Sequence, residues 1–261
     1  MNRILLLLFL LPFFSFSQVD LVKWDSSNSF SANVLNTNIT SAPMSASGID
    51  LNILHYVGFS GTKWPTGNFI DPNKYIQITI TAKTGYKIDL TTLKYAYHSY
   101  DGNQGCRKYQ IRYSKNFTTV NNGTLLIDEQ SPSITSGAKV DKSHYFPVGT
   151  YLLPGETMYI RFYGYDRGNT SWDDARWGLL SSDTSNNNES YSVPTITGTV
   201  ASYTPTLKAY DDSATTLKNN FTFINVLAND QQATNPISTV NIASNPTNSA
   251  GTVVVNTDNT I

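Results

Sequence analysis

The chain has 261 residues, only 14% of them charged against the roughly 25% of an ordinary soluble domain, and 18 basic and 19 acidic side chains leave a net charge of −1. Neither a long-range field nor a run of Lys or Arg is present to gather a phosphate backbone, so nucleic acid is excluded as an expected partner. Cys106, the single cysteine, rules out an intrachain disulfide, leaves the fold to packing, and reads as a small buried or loop residue.

In chain order, Arg3 precedes an apolar run from Ile4 to Phe14, and Ser15 and Ser17 occupy the small-residue positions of a signal-peptidase site. Residues 1–17 are therefore expected to be a signal peptide cleaved before Gln18, which places the protein outside the cytoplasm, secreted or on a bacterial surface. The run is too short to span a bilayer, and no other stretch is long and apolar enough, so no membrane span is expected.

From Gln18 the periodicity is that of strands. In Tyr75-Ile76-Gln77-Ile78-Thr79-Ile80-Thr81 the isoleucines fall on one face and the polar or aromatic residues on the other. The same alternation runs through Lys108 to Tyr113 and Met158 to Tyr163, between turn clusters at Lys83-Thr84-Gly85, Asp101-Gly102-Asn103 and Leu153-Pro154-Gly155. Many short strands without a helical period predict two packed antiparallel sheets, a jelly-roll-like β-sandwich over 18–202. The 12% aromatic content suits a core that has no disulfide.

The chain is poor in groups that carry chemistry. Its glutamates are Glu129, Glu156 and Glu189, its histidines His55, His98 and His144, and they form no HExxH, GxSxG or phosphate-cradling glycine loop. A scattered carboxylate pair could still meet in space as a glycosidase, but the expectation is a non-enzymatic protein. The richest polar stretch runs from Tyr163 to Trp177, where Tyr163, Tyr165, Trp172 and Trp177 could stack on sugar faces while Asp166 and Asp173 reach hydroxyls. The competing reading packs Trp172 and Trp177 at the end of the sandwich and pairs Asp166, Arg167, Asp173 and Arg176 at its rim. With Met158, Ile160 and Phe162 inward, Tyr159, Arg161, Tyr163 and Tyr165 would form a flat outward aromatic strip, suited to a polymer or to cross-strand stabilisation.

Beyond Ala201-Ser202-Tyr203-Thr204-Pro205 aromatics thin out, and residues 203–261 read as a second, short unit with strand-like runs at Phe221–Leu227, Ser238–Ile242 and Thr252–Val255. A piece this short buries a poor fraction of its surface. Ala209-Tyr210-Asp211-Asp212-Ser213-Ala214-Thr215-Thr216, Ile224-Asn225-Val226-Leu227-Ala228-Asn229-Asp230 and Gly251-Thr252-Val253-Val254-Val255-Asn256 resemble the cadherin-like, immunoglobulin-like repeats of large bacterial adhesins. The resemblance implies a partial immunoglobulin-like sandwich with further domains C-terminal to it. It also implies calcium as the one expected cofactor, held by Asp211, Asp212 and Asp230, although Asp is equally a turn former. Residues 18–202 more loosely resemble the secreted β-sandwich modules that precede such repeats, through Tyr75–Thr81, Gly85–Leu90, Tyr109–Ser114 and Pro154-Gly155 leading into Tyr159–Tyr163.

The functional expectation is an adhesion or surface-binding protein with a ligand-display sandwich and a repeat spacer, its partners glycans or other surface polymers. The alternative is a carbohydrate-binding accessory module of a polysaccharide-degrading protein. Sequence following Ile261 separates the two, further repeats favouring the first and a catalytic domain the second.

Overall fold

The structure is a computed structural model that describes residues 18–26, 28–54, 58–99, 105–117, 123–130, 139–168, 176–181, 191–205, 208–217, 220–230, 240–242, 252–258 and 260–261. The expected signal peptide lies outside them. The chain divides into two compact units, one ending at Ser202 and the other Tyr203–Ile261.

Among its described residues the first unit holds fifteen strands and no helix: β1 (Val19–Lys23), β2 (Asn33–Val34), β3 (Ile39–Thr40), β4 (Ser45–Ser47), β5 (Asp50–Leu54), β6 (Gly58–Thr62), β7 (Tyr75–Ala82), β8 (Tyr86–Ser99), β9 (Cys106–Ser114), β10 (Thr124–Gln130), β11 (Lys139–Tyr145), β12 (Tyr151–Leu152), β13 (Thr157–Arg167), β14 (Trp177–Leu179) and β15 (Thr195–Ser202). They form two antiparallel sheets, which makes the body an all-β sandwich. The larger sheet runs β2-β1-β15-β8-β14-β6-β5, with β11 and β12 also paired to β8, and the smaller runs β10-β9-β13-β7-β3, with β4 also on β7.

Alternation explains the layers. In the smaller sheet, register sets Ile76 opposite Phe162, Ile78 opposite Ile160 and Ile80 opposite Met158, while β9 places Ile111 opposite Phe162 and Tyr113 opposite Ile160. These residues are buried, and so are Ile88, Leu90, Leu93, Tyr95 and Tyr97 of β8, so both sheets contribute to one core. Each fully buried Ile or Phe contributes roughly 1.5–3 kcal/mol, which is how a chain with one cysteine holds two sheets together.

The turns follow their residues. At Lys83-Thr84-Gly85-Tyr86 the Tyr86 N–H donates to the Lys83 carbonyl and Gly85 has φ 82°, while at Leu153-Pro154-Gly155-Glu156 the Glu156 N–H donates to Leu153 and Gly155 has φ 81°. Both are turns whose third position needs a positive φ, which glycine adopts without a Cβ clash. The Asp101–Asn103 cluster lies outside the described residues.

The second unit differs from the strands expected of it. Residues 221–227 and 252–255 form no strand, and Ser238–Ile242 is described only from Val240. Instead Ile224 and Ile261 exchange both backbone hydrogen bonds, at 2.7 and 3.0 Å, and Asn256 N–H donates to the Thr260 carbonyl. The physical reason is burial: Leu217, Phe221, Phe223 and Val254 are exposed and Ile224, Val226 and Val255 only half-buried, so among the described residues apolar cover is too thin to support a ladder.

Candidate functional site

On β13, Met158, Ile160 and Phe162 point into the core as the alternation requires. The outward strip, however, is not open. Tyr163 and Tyr165 are buried as well, which corrects the flat aromatic face expected of Tyr159, Arg161, Tyr163 and Tyr165. Tyr75 of β7 meets Tyr163 edge-on at 5.8 Å, and the Arg161 guanidinium lies 4.0 Å from the Tyr75 ring and 4.2 Å from that of Phe117. Arg161 Nε also donates to Gln77 Oε1 at 2.8 Å, fixing the stack. The Tyr165 hydroxyl donates to Asp128 at 3.2 Å. Burial pushes the Tyr163 phenol above its ordinary value, with Arg161 pulling the other way.

Trp177 is also withdrawn from solvent, its ring 5.5 Å from Trp64 in an edge contact and 5.4 Å from Tyr109. It packs the end of the sandwich. Trp172 and Asp173 lie outside the described residues. Asp166 is held at the rim by Arg107 at 2.7 Å and Lys108 at 3.4 Å. The four described members of this stretch thus form no exposed ring platform.

What the rim does contain is a cleft of about 460 Å³ lined by residues 63–67 together with Lys74 and Arg167. Trp64 anchors its wall by donating from Nε1 to the Gly61 carbonyl at 2.8 Å and the Trp177 carbonyl at 3.2 Å. The loop then joins the end of β13, where Asp166 N–H donates to Gly67 at 2.9 Å and Arg167 N–H to Pro65 at 3.1 Å. Lys74 Nζ closes the other side on the Lys63 carbonyl at 2.7 Å.

Two backbone positions here are unusual. Lys63 at φ 64° and Asp166 at φ 55° are the non-glycine residues with positive φ among the described ones. That conformation costs of order 1–3 kcal/mol and persists only where its surroundings impose it. Among the described residues the lining has three cations and no carboxylate, histidine or cysteine. Ammonium and guanidinium groups offer N–H donors and positive charge to an oxyanion. Two other cavities differ: one of about 340 Å³ holds Lys115, which is ion-paired to Glu156, and one of about 330 Å³ at β5 sets Asp50 beside Arg176.

The remaining titratable candidates have structural places. His98 is buried and its pKa falls to about 3, because burial penalises the imidazolium and Lys139 and Arg176 add repulsion, the Phe59 backbone opposing. Burial pushes the Cys106 thiol well above its ordinary range. His144 Nε2 meets the Tyr95 hydroxyl at 3.2 Å, and Glu156 accepts from the Leu153 N–H at 2.7 Å to close its turn. His55, Glu189 and the Glu129 side chain lie outside the described residues. In the second unit, Asp230 accepts from the Tyr210 N–H at 2.8 Å, and the Asp211 carbonyl accepts from Asn229 at 3.3 Å. Asp211 and Asp212 are exposed, and no group of three or more His, Cys, Asp or Glu that could hold a metal forms among the described residues.

Sequence reading missed the cleft. Its only local trace is the turn cluster Trp64-Pro65-Thr66-Gly67-Asn68 between Lys63 and Lys74, while Arg167 arrives from a strand about a hundred positions away through pairing that no local pattern encodes.

No protein-family model and no curated protein matches the chain. Among solved structures it is similar to cleaved adhesin domains of Lys-gingipain. The K2 domain aligns at 17% identity over 69% of this chain and 99% of that one, with a TM-score of 0.34. The K3 domain from Porphyromonas gingivalis aligns at 11% identity over 69% and 99%, and the K1 domain at 12% over 70% and 98%, each also at 0.34. Superposition at that level carries neither fold nor function from one protein to the other.

Proposed function

We propose that residues 18–202 form a secreted or cell-surface adhesion module that holds a ligand at the rim of the sandwich without transforming it. The carrying observation is the cleft between the 63–74 loop and the end of β13. It is open, built on a packed strand, and lined by Lys63, Lys74 and Arg167. General acid–base catalysis draws most often on His, Glu or Asp, and the described lining residues include none of these. Residues 203–261 act as a spacer in this reading, with further domains following. Calcium belongs to the same reading through Asp211, Asp212 and Asp230. A calcium titration that raises the melting temperature of the chain supports that part, and one that leaves it unchanged ends it.

The carbohydrate-binding accessory reading is favoured by one feature, the exposed ring of Phe69 two residues beyond Gly67. Retention of the purified chain on immobilised polysaccharides and matrix proteins tests both readings. Saturable retention, reversed by soluble polymer of unchanged size, is the expected result. Shortening of the polymer, or retention on none of these surfaces, contradicts them.

A further inference from the structure

We propose that the cleft between the 63–74 loop and β13 takes an acidic saccharide, a sugar whose carboxylate or sulfate sits against Lys63, Lys74 and Arg167; this assignment rests on the binding-module reading above. Charge is the first reason. The whole chain is at −1, so three cations with no carboxylate in one cleft are a local concentration rather than a general basicity.

The two lysines can turn toward a ligand. Lys63 is ion-paired to Asp50 at 2.7 Å, but both side chains are more than half exposed, so exchanging that carboxylate for a ligand oxyanion loses little. Lys74 uses one of three N–H directions on the Lys63 carbonyl. Arg167 is largely buried behind them, its Nε and Nη1 withdrawn from the surface, so it adds positive charge to the cleft wall.

The backbone is the second reason. Of the two non-glycine residues held at positive φ among the described ones, Lys63 lines this cleft and Asp166 is tied to its Gly67 wall by a backbone hydrogen bond, and strain of this kind collects at binding sites. Neither position is accidental in its support. Lys74 holds the Lys63 carbonyl, and Arg107 grips Asp166 through both its carboxylate and its backbone carbonyl.

Shape is the third reason. A volume of about 460 Å³ exceeds what a bare oxyanion fills and lies in the range of small-molecule sites. Phe69, 84% exposed in the same loop, offers a ring face for the C–H side of a sugar.

Calorimetric titration of the whole chain tests the proposal with four probes: oligogalacturonate, the same oligomer fully methyl-esterified, a sulfated galacto-oligosaccharide, and polyglutamate. One of the two acidic sugars should bind about tenfold or more tighter than the methyl ester, and which one does so tells carboxylate from sulfate. Lys63→Gly removes the ammonium while giving φ 64° to the residue that adopts it freely, so affinity should fall about tenfold or more with no loss of melting temperature. Lys74→Gln should weaken the same binding, and it decides the matter if Lys63→Gly proves unstable. Equal binding of the methyl ester, equal binding of polyglutamate, or stable variants with unchanged affinity overturns the acidic-sugar assignment. Retention on neutral polysaccharide that both variants preserve overturns it too while leaving the binding-module reading intact, whereas a chain retained by no surface fails the earlier reading itself.

Discussion

Residues 75–82 alternate apolar with polar side chains and residues 221–227 begin the same way at Phe221-Thr222-Phe223, yet they end in different places. The first is β7, flanked by β13 on one side and by β3 and β4 on the other, with Ile76, Ile78 and Ile80 fully buried. The second leaves Phe221 and Phe223 at 84% and 66% exposed, meeting edge-on at 5.5 Å, and among the described residues its paired backbone exchange is between Ile224 and Ile261. The difference teaches that alternation only makes a strand possible. A strand forms when a second apolar surface is present to receive its inward face, because what looks like β propensity is largely side-chain packing.

Substitutions of matched kind sharpen that contrast. Phe162→Ala, on β13 between β7 and β9, should lower the stability of the first unit by about 3–5 kcal/mol, read as a shifted urea midpoint. A loss under about 1 kcal/mol would mean the sheets are loosely packed.

Acid should find the same core. His98 is neutral when folded down to about pH 3 but titrates near 6.5 when unfolded, so the unfolded chain binds the extra proton between those values. Stability from this group is therefore complete above pH 6.5 and is lost as pH falls toward 3, at about 1.4 kcal/mol for each pH unit. His98→Asn should flatten this part of the profile, and denaturation midpoints at successive pH values check it.

On the outer face, Arg161→Ala removes the guanidinium between Tyr75 and Phe117 and should cost about 1 kcal/mol while exposing tyrosine to fluorescence quenchers. Phe221→Ala, in the region without a ladder, should stay within about 0.5 kcal/mol. A cost near that of Phe162→Ala would show that 221–227 is covered after all and erase the contrast.

These pairs also show what the chain states locally. The isoleucines of β7, the inward Met158, Ile160 and Phe162, and the glycine turns at Gly85 and Gly155 all follow from period and turn chemistry. Tyr163, Tyr165 and Trp177 do not, because what covers them comes from distant strands: Tyr75 closes over Tyr163, Asp128 receives the Tyr165 hydroxyl, and Trp64 meets Trp177. The cleft is hidden for the same reason, since Lys63 and Arg167 become neighbours only once Pro65 and Gly67 pair with the end of β13. Charge at a rim leaves no periodic trace.

The central claim is that ligand binding belongs to the rim formed by the 63–74 loop and β13. Amide chemical shifts of the labelled whole chain, recorded during titration with oligogalacturonate and with the sulfated galacto-oligosaccharide, test it most directly. Changes confined to residues 63–69, 74, 106–108 and 165–168 are predicted; changes centred on residues 208–230 or on the Tyr151 end of the sandwich, or none with either sugar, would contradict it.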